Sequence, residues 1–181
     1  MVMAAAIWVY NDLEDRRAAA YSLGTAQVLL DVIGEAEASF YEDYDAPDAA
    51  TTGRRRIVID GETYIGVLRI PKLDLSLPIN DTLSDEALKM TPCRYSGNID
   101  DKDLVIAAHN YRTHFGRVHT LSEGDTLIFT DVEGRMFTFY VDHLVTVQPS
   151  EAAIVKHSEF PLTLFTCNYD GRARVVIRCI E

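Results

Sequence analysis

The chain has 181 residues with 48% hydrophobic and 25% charged side chains, the proportions of one globular domain plus a short extra segment. Its formal net charge is −11, which removes any electrostatic reason to bind phosphate backbones and excludes nucleic acid as a partner. Three cysteines, Cys93, Cys167 and Cys179, are too few for a disulfide scaffold and show no CxxC spacing for zinc.

The first ten residues, MVMAAAIWVY, carry no charge. A membrane-spanning helix needs about 20 apolar residues, so this stretch is too short to span. It reads either as the first turns of a buried helix or as the truncated outer end of a membrane anchor. No charged leader and no small-residue cleavage site mark a removable signal peptide.

Residues 11–38 read as a helix. Asn11 or Asp12 can cap it, Asp12, Glu14 and Asp15 suit its positive end, and Leu29, Leu30 and Ile33 form an apolar stripe. Gly24 is a possible interruption. Residues 39–56, which hold Asp, Pro, Thr and Gly and few apolar residues, read as a linker or exposed arm. The expected organisation is therefore an anchor end and helix over 1–38, an arm over 39–56, and a β domain over 57–181.

From Ile57 the pattern is strand after strand. Short β-rich runs occupy 57–59 and 64–70 around the turn Asp60-Gly61. Leu73, Leu75, Leu77 and Ile79 alternate with polar residues and Pro78. Ser84, with Asp85 and Glu86 behind it, opens a short helix ending near Met90. The apolar run 104–108 reads as a central strand. Strands follow at 126–130, 136–141 and 144–147, with Glu133-Gly134 turning between the first two. Residues 150–157 fit one or two helical turns. The last strands are 162–166 and 174–180, separated by the turn residues Asn168, Tyr169, Asp170 and Gly171. Many short strands with few helices indicate a mainly β fold, a barrel or sandwich.

Two strand ends carry chemistry. Thr163-Leu164-Phe165-Thr166-Cys167 sets a thiol at the end of an apolar strand, just before a turn. A thiolate is a nucleophile if its surroundings favour ionisation or supply a proton acceptor. Arg172 and Arg174 begin the next strand. With 168–171 as the whole loop, Arg172 faces Cys167 and Arg174 lies one diagonal step away. Either can stabilise a thiolate or a developing oxyanion. His109 ends the run 104–108, and a His at one strand end with a Cys at another is what a Cys-His pair needs. The rival histidines are His114, His119, His143 and His157. The spacing of His109, His114 and His119 matches no metal-ligand pattern, and a loop His is more often solvated than bound.

Taken together these residues resemble the sortase family. TLFTC at 163–167 fits the sortase motif TLxTC at every defined position. Val105-Ile106-Ala107-Ala108-His109-Asn110, then Phe115-Gly116, Leu121 and Gly124-Asp125, is similar to the sortase histidine segment. Ile70-Pro71-Lys72, Leu77-Pro78-Ile79, and Tyr95, Gly97 and Asn98 are similar to what precedes it. The order His, Cys, Arg is the family's order, and the likeness covers about 57–181.

The resemblance implies an eight-stranded β-barrel with short helices and an N-terminal helix, its site at the ends of the fourth, seventh and eighth strands. It implies Cys167 as nucleophile and His109 as general acid/base. It favours Arg174 over Arg172, because Arg174-Val175-Val176-Ile177 fits the family's run of Arg followed by apolar residues. Thr166, and with it Arg172, is expected to help position substrate. The implied reaction is transpeptidation: an LPxTG-like C-terminal sorting signal is cleaved after Thr, and the acyl group passes to an amine of the cell wall or a pilin Lys. Partners are then sorting-signal-bearing surface or pilin proteins, the amine acceptor, and the membrane through an N-terminal anchor, on the outer face of a Gram-positive-type cell. No cofactor and no metal is required, and no calcium motif is present. Residues 39–56 hold Ala46-Pro47-Asp48 but no Asp-Pro-Trp or Asp-Pro-Phe lid, and His109-Asn110 leans towards class B or class D. A Cys93–Cys179 disulfide is conceivable on an extracellular protein.

Overall fold

A computed structural model describes residues 2–42, 56–148, 159–167 and 172–181. Strand periodicity dominates the second half of the chain, and the described strands close on themselves. They are β1 (Ile57–Ile59), β2 (Glu62–Ile70), β3 (Leu75–Asn80), β4 (Cys93–Ser96), β5 (Leu104–Ala107), β6 (Thr126–Asp131), β7 (Met136–Val147), β8 (Leu162–Cys167) and β9 (Arg174–Ile180). The order is β1-β2-β3-β4-β5-β8-β9-β7-β6, and β6 returns to pair with β2. Strands β2 to β9 thus form a closed eight-stranded barrel, and β1 is an extra edge strand on the first half of β2. Closure removes the unpaired edges that an open sheet would expose.

The barrel interior is filled by one face of each strand. Leu68, Ile70, Leu77, Ile79, Leu104, Ile106, Leu127, Phe129, Phe139, Leu162, Leu164 and Ile177 form its core. Since successive strand residues point to opposite faces, the intervening residues face outward. Two bulges adjust this alternation. One lies between Tyr64 and Gly66, so that Tyr64 and Val67 both reach the outer surface beneath the N-terminal helix. At Gly66, with φ +153°, an added Cβ would sit 2.3 Å from the Thr130 carbonyl oxygen, so only glycine fits. The other bulge lies between Val141 and His143 and joins the two expected strands 136–141 and 144–147 into the single strand β7.

Helix α1 (Val2–Glu42) is longer than the expected 11–38 and runs through Gly24 without a break. Gly24 faces solvent, and an added Cβ there would meet nothing among the described residues, so it weakens the helix without stopping it. The buried face of α1 repeats at Ala18, Ser22, Ala26, Leu29 and Ile33, the spacing of one helical stripe. Ala26, Leu29 and Ile33 pack on Tyr64, Val67 and Val132 outside the barrel. Among the described residues no helix is long and apolar enough to cross a membrane.

Helix α2 (Asp85–Met90) begins where expected. Ser84 Oγ accepts from the Ala87 amide at 3.0 Å, and Asp85 and Glu86 fill the first turn. Strand β4 is an addition to the expected set. Three expected features lie outside the described residues: most of the arm 39–56 beyond Glu42, the helical turns at 150–157, and the turn 168–171.

Candidate active site

The site is set by strand register. β5 and β8 run parallel, with Leu104 opposite Leu162 and Ala107 opposite Phe165. The pairing continues past the end of β5: the Ala108 amide donates to the Phe165 carbonyl at 3.2 Å. His109 and Cys167 are therefore the next residues outward at the same end of two neighbouring strands. β8 and β9 are antiparallel, with Cys167 opposite Arg174. His109, Cys167 and Arg174 thus share the barrel's outer face at one rim.

That register corrects the simple hairpin expectation. The connection runs from 168 to 173, two residues longer than the turn read from the sequence, and this places Arg174 opposite the thiol. Arg172 lies before β9 and is exposed. Thr166 faces inward and is 3% exposed, and its hydroxyl donates to the Ala108 carbonyl at 2.8 Å. Its side chain ties the cysteine strand to the histidine strand and does not line the outer surface.

The three thiols differ sharply. Cys167 is half-buried and free. Cys93 and Cys179 are fully buried, and burial pushes both thiols up to about 12. The conceived Cys93–Cys179 disulfide is absent: both thiols are free. Their strands β4 and β9 are separated by β5 and β8, about 14 Å at ordinary strand spacing, which no disulfide spans.

His109 is half-buried, and burial holds it below its ordinary 6.5. Lys89 of α2 adds to that shift, and Asp85 of the same helix opposes it. The lowering favours the uncharged imidazole over the imidazolium. Its ring lies 5.0 Å from that of Tyr111, which in turn lies 5.6 Å from that of His114.

Of the rival histidines, His114 is fully buried, against the expectation of a solvated loop residue. The burial comes from α1, far away in sequence. Its Nε2 lies 3.1 Å from Ser22 Oγ. His119 is exposed, with Nδ1 2.9 Å from the Gly116 carbonyl, and His143 pairs with Asp142 at 2.6 Å. His157 lies outside the described residues. Among the described residues no group of His, Cys, Asp and Glu is placed to hold a metal ion.

Below the rim, the outer wall carries an apolar strip of Tyr95, Val105, Val147, Phe165 and Val176. Tyr95 meets Phe165 edge to face at 4.9 Å. Further along β8 and β9, buried Arg178 donates to Thr163 Oγ1 at 2.9 Å and lies over the Phe160 ring. Sequence reasoning missed this wall. Its signal was the outward parity of Val105, Phe165 and Val176 in runs apolar on both faces.

The closed barrel agrees with the comparisons. The sortase domain family matches residues 68–181, well over half of the chain, and the protein belongs to the sortase family. It is a sortase-type cysteine transpeptidase. The chain is similar in structure to Clostridium perfringens sortase C solved with the C-terminal cell wall sorting motif (19% identity, 86% of this chain and 88% of that one, TM-score 0.56). It is similar to sortase C1 of GBS Pilus Island 1 (18% identity, 86% and 81%, TM-score 0.58). It is also similar to Streptomyces coelicolor sortase E1 solved with a tripeptide in its active site (19% identity, 65% and 88%, TM-score 0.56). Identities at this level carry the fold and not the class. A search of curated proteins finds no match.

Proposed function

We propose that this sortase cleaves a C-terminal LPxTG-like sorting signal after Thr and transfers the new acyl end to an amine of the cell wall or a pilin. The observation that carries the reading is the convergence of the β5, β8 and β9 ends at His109, Cys167 and Arg174 on one outward face. The apolar strip beside it suits the Leu and Pro of an extended signal.

The steps follow from the residues. His109 takes up the Cys167 proton as Sγ attacks the Thr carbonyl carbon. The carbonyl oxygen becomes an oxyanion beside the Arg174 guanidinium. As the tetrahedral adduct collapses, the C–N bond breaks and His109 returns the proton to the leaving amine. A thioester on Cys167 remains. The acceptor amine attacks it, His109 takes the amine's proton, and Sγ leaves. Water in place of the amine gives slow hydrolysis. Arg172, exposed at the mouth of the 168–173 connection, is assigned to the substrate beyond the scissile bond. Thr166 serves by fixing the spacing of the two reacting strands.

We further assign residues 1–38 to an anchor end and its helix, 39–56 to an arm and 57–181 to the catalytic barrel. On this assignment the enzyme works on the outer face of the cell membrane. The test is cleavage of a peptide library containing LPxTG-like and NPxTN-like members, with and without an added amine. Cleavage after Thr with amine-dependent ligation of one signal class supports the reading. Cleavage elsewhere, or ligation independent of the signal, refutes it.

A further inference from the structure

The turn that follows His109 is gripped from outside the barrel. Within the turn, the His109 carbonyl accepts from the Phe115 amide at 3.2 Å, and the Tyr111 carbonyl accepts from the His114 and Gly116 amides at 3.0 and 2.8 Å. At Gly116 an added Cβ would meet the Asn110 carbonyl oxygen at 2.3 Å, so the turn closes tightly on itself. Two residues of this turn are then held by α1. The Asp15 carboxylate accepts from the Thr113 amide at 3.3 Å and from the Thr113 hydroxyl, which also lies 3.3 Å from the Asp15 carbonyl. Two helical turns further along the same face, Ser22 Oγ donates to the Met90 carbonyl at 2.8 Å. Ser22 has one proton, and it is committed there. It follows that His114 Nε2 donates to Ser22 at 3.1 Å, and that Nδ1, which has no hydrogen-bond partner among the described residues, is the bare nitrogen.

The grip reaches the reacting group through one ring. Tyr111 lies between His109 and His114, at 5.0 and 5.6 Å. Burial, and after it Glu14, Tyr10 and Asp15 of α1, raise its hydroxyl above its ordinary 10. The helix has a division of labour. Ala26, Leu29 and Ile33 dock its later half on apolar surface, while the polar contacts to the turn come from Asp15 and Ser22 earlier in the chain. Docking and grip are separable.

We propose that α1 is a positioning element for His109, acting through Asp15 and Ser22 on the Tyr111–His114 turn. The importance of His109 to turnover rests on the reading above; its placement by α1 does not. Burial sets the titration of His109 first, and the charged groups that act on it are Lys89 and Asp85 of α2; His109 in turn lowers His114 of the turn.

The test uses the full chain with Asp15→Ala, Ser22→Ala, the double variant, and Asp15→Asn, which keeps an acceptor oxygen. His109 is followed by NMR titration of its ring, and kcat and KM are measured with a cleavable peptide. The double variant is expected to let His109 titrate closer to 6.5 and to lose roughly 10- to 100-fold in kcat with little change in KM. Asp15→Asn is expected to retain most of the kcat that Asp15→Ala loses. An unchanged His109 titration with unchanged kcat overturns the proposal, as does equal loss in Asp15→Asn and Asp15→Ala. If the wild type cleaves no peptide but the double variant still moves the His109 titration, the sorting-signal reading fails and the positioning by α1 stands.

Discussion

Cys167 and Arg174 stand directly opposite each other, the last residue of β8 against the first of β9. Opposed residues on antiparallel strands have Cβ atoms about 5 Å apart, which lets a guanidinium reach the oxyanion that forms on the carbonyl attacked by Sγ. Arg174→Ala should therefore lower kcat/KM about 100- to 1,000-fold. Arg174→Lys should recover part of that, because it keeps the charge and loses the planar fork. Arg172→Ala should stay near wild type in kcat and act mainly on KM. Steady-state kinetics on the three variants decides it, and an Arg172→Ala loss in kcat as large as that of Arg174→Ala would exchange their roles.

The thiols should separate cleanly on alkylation. Cys93 and Cys179 are fully buried with their thiols pushed up to about 12, so neither ionises nor meets reagent in the folded protein. Native protein treated with iodoacetamide at neutral pH should take one label, on Cys167. All three should label in denaturant. Peptide mapping by mass spectrometry reads the sites, and early label on Cys93 or Cys179 would contradict the burial described here.

His114 makes stability fall in acid. Burial lowers it from 6.5 to about 4, so between those values the unfolded chain binds a proton that the folded chain refuses. Its contribution is fully present above about pH 6.5 and is lost as the pH falls to about 4. Over that window the loss amounts to about 3 kcal/mol, at 1.36 kcal/mol per unit. Urea unfolding from pH 7 to pH 4 should show the decline, and His114→Gln should flatten it. The same slope in both proteins would place the acid sensitivity elsewhere.

Two glycines should respond oppositely to the same change. Gly66→Ala forces a Cβ against the Thr130 carbonyl oxygen at 2.3 Å and Phe129 Cζ at 2.7 Å, at a φ that L residues rarely adopt. It should cost more than about 2 kcal/mol. Gly24→Ala meets open space in the middle of α1 and should stabilise the protein by up to about 1 kcal/mol. Denaturant midpoints give both values.

Local pattern carried most of the strands and both reacting strand ends, because alternation, apolar runs and turn residues are local signals. His109 and Cys167 were paired from sequence since each ends an apolar run, and these runs prove to be parallel neighbours. Other features depended on distant parts of the chain. β4 is four residues with a bulge at Tyr95, too short to show a period. The bulge in β7 breaks its alternation and makes one strand read as two. The choice between Arg172 and Arg174 turned on two residues of connection length, which composition does not encode. His114 looked solvated because the helix that buries it lies about ninety residues earlier.

The most direct test of the central claim is intact-protein mass spectrometry of wild type and Cys167→Ala with a cleavable LPxTG-like peptide and no amine acceptor. The account predicts a thioester adduct on wild type that maps to Cys167, disappears when an amine is added with release of ligated peptide, and never forms on Cys167→Ala. An adduct that survives in Cys167→Ala, or a wild type whose Cys167 alkylates readily yet forms no adduct with any signal peptide, would contradict it.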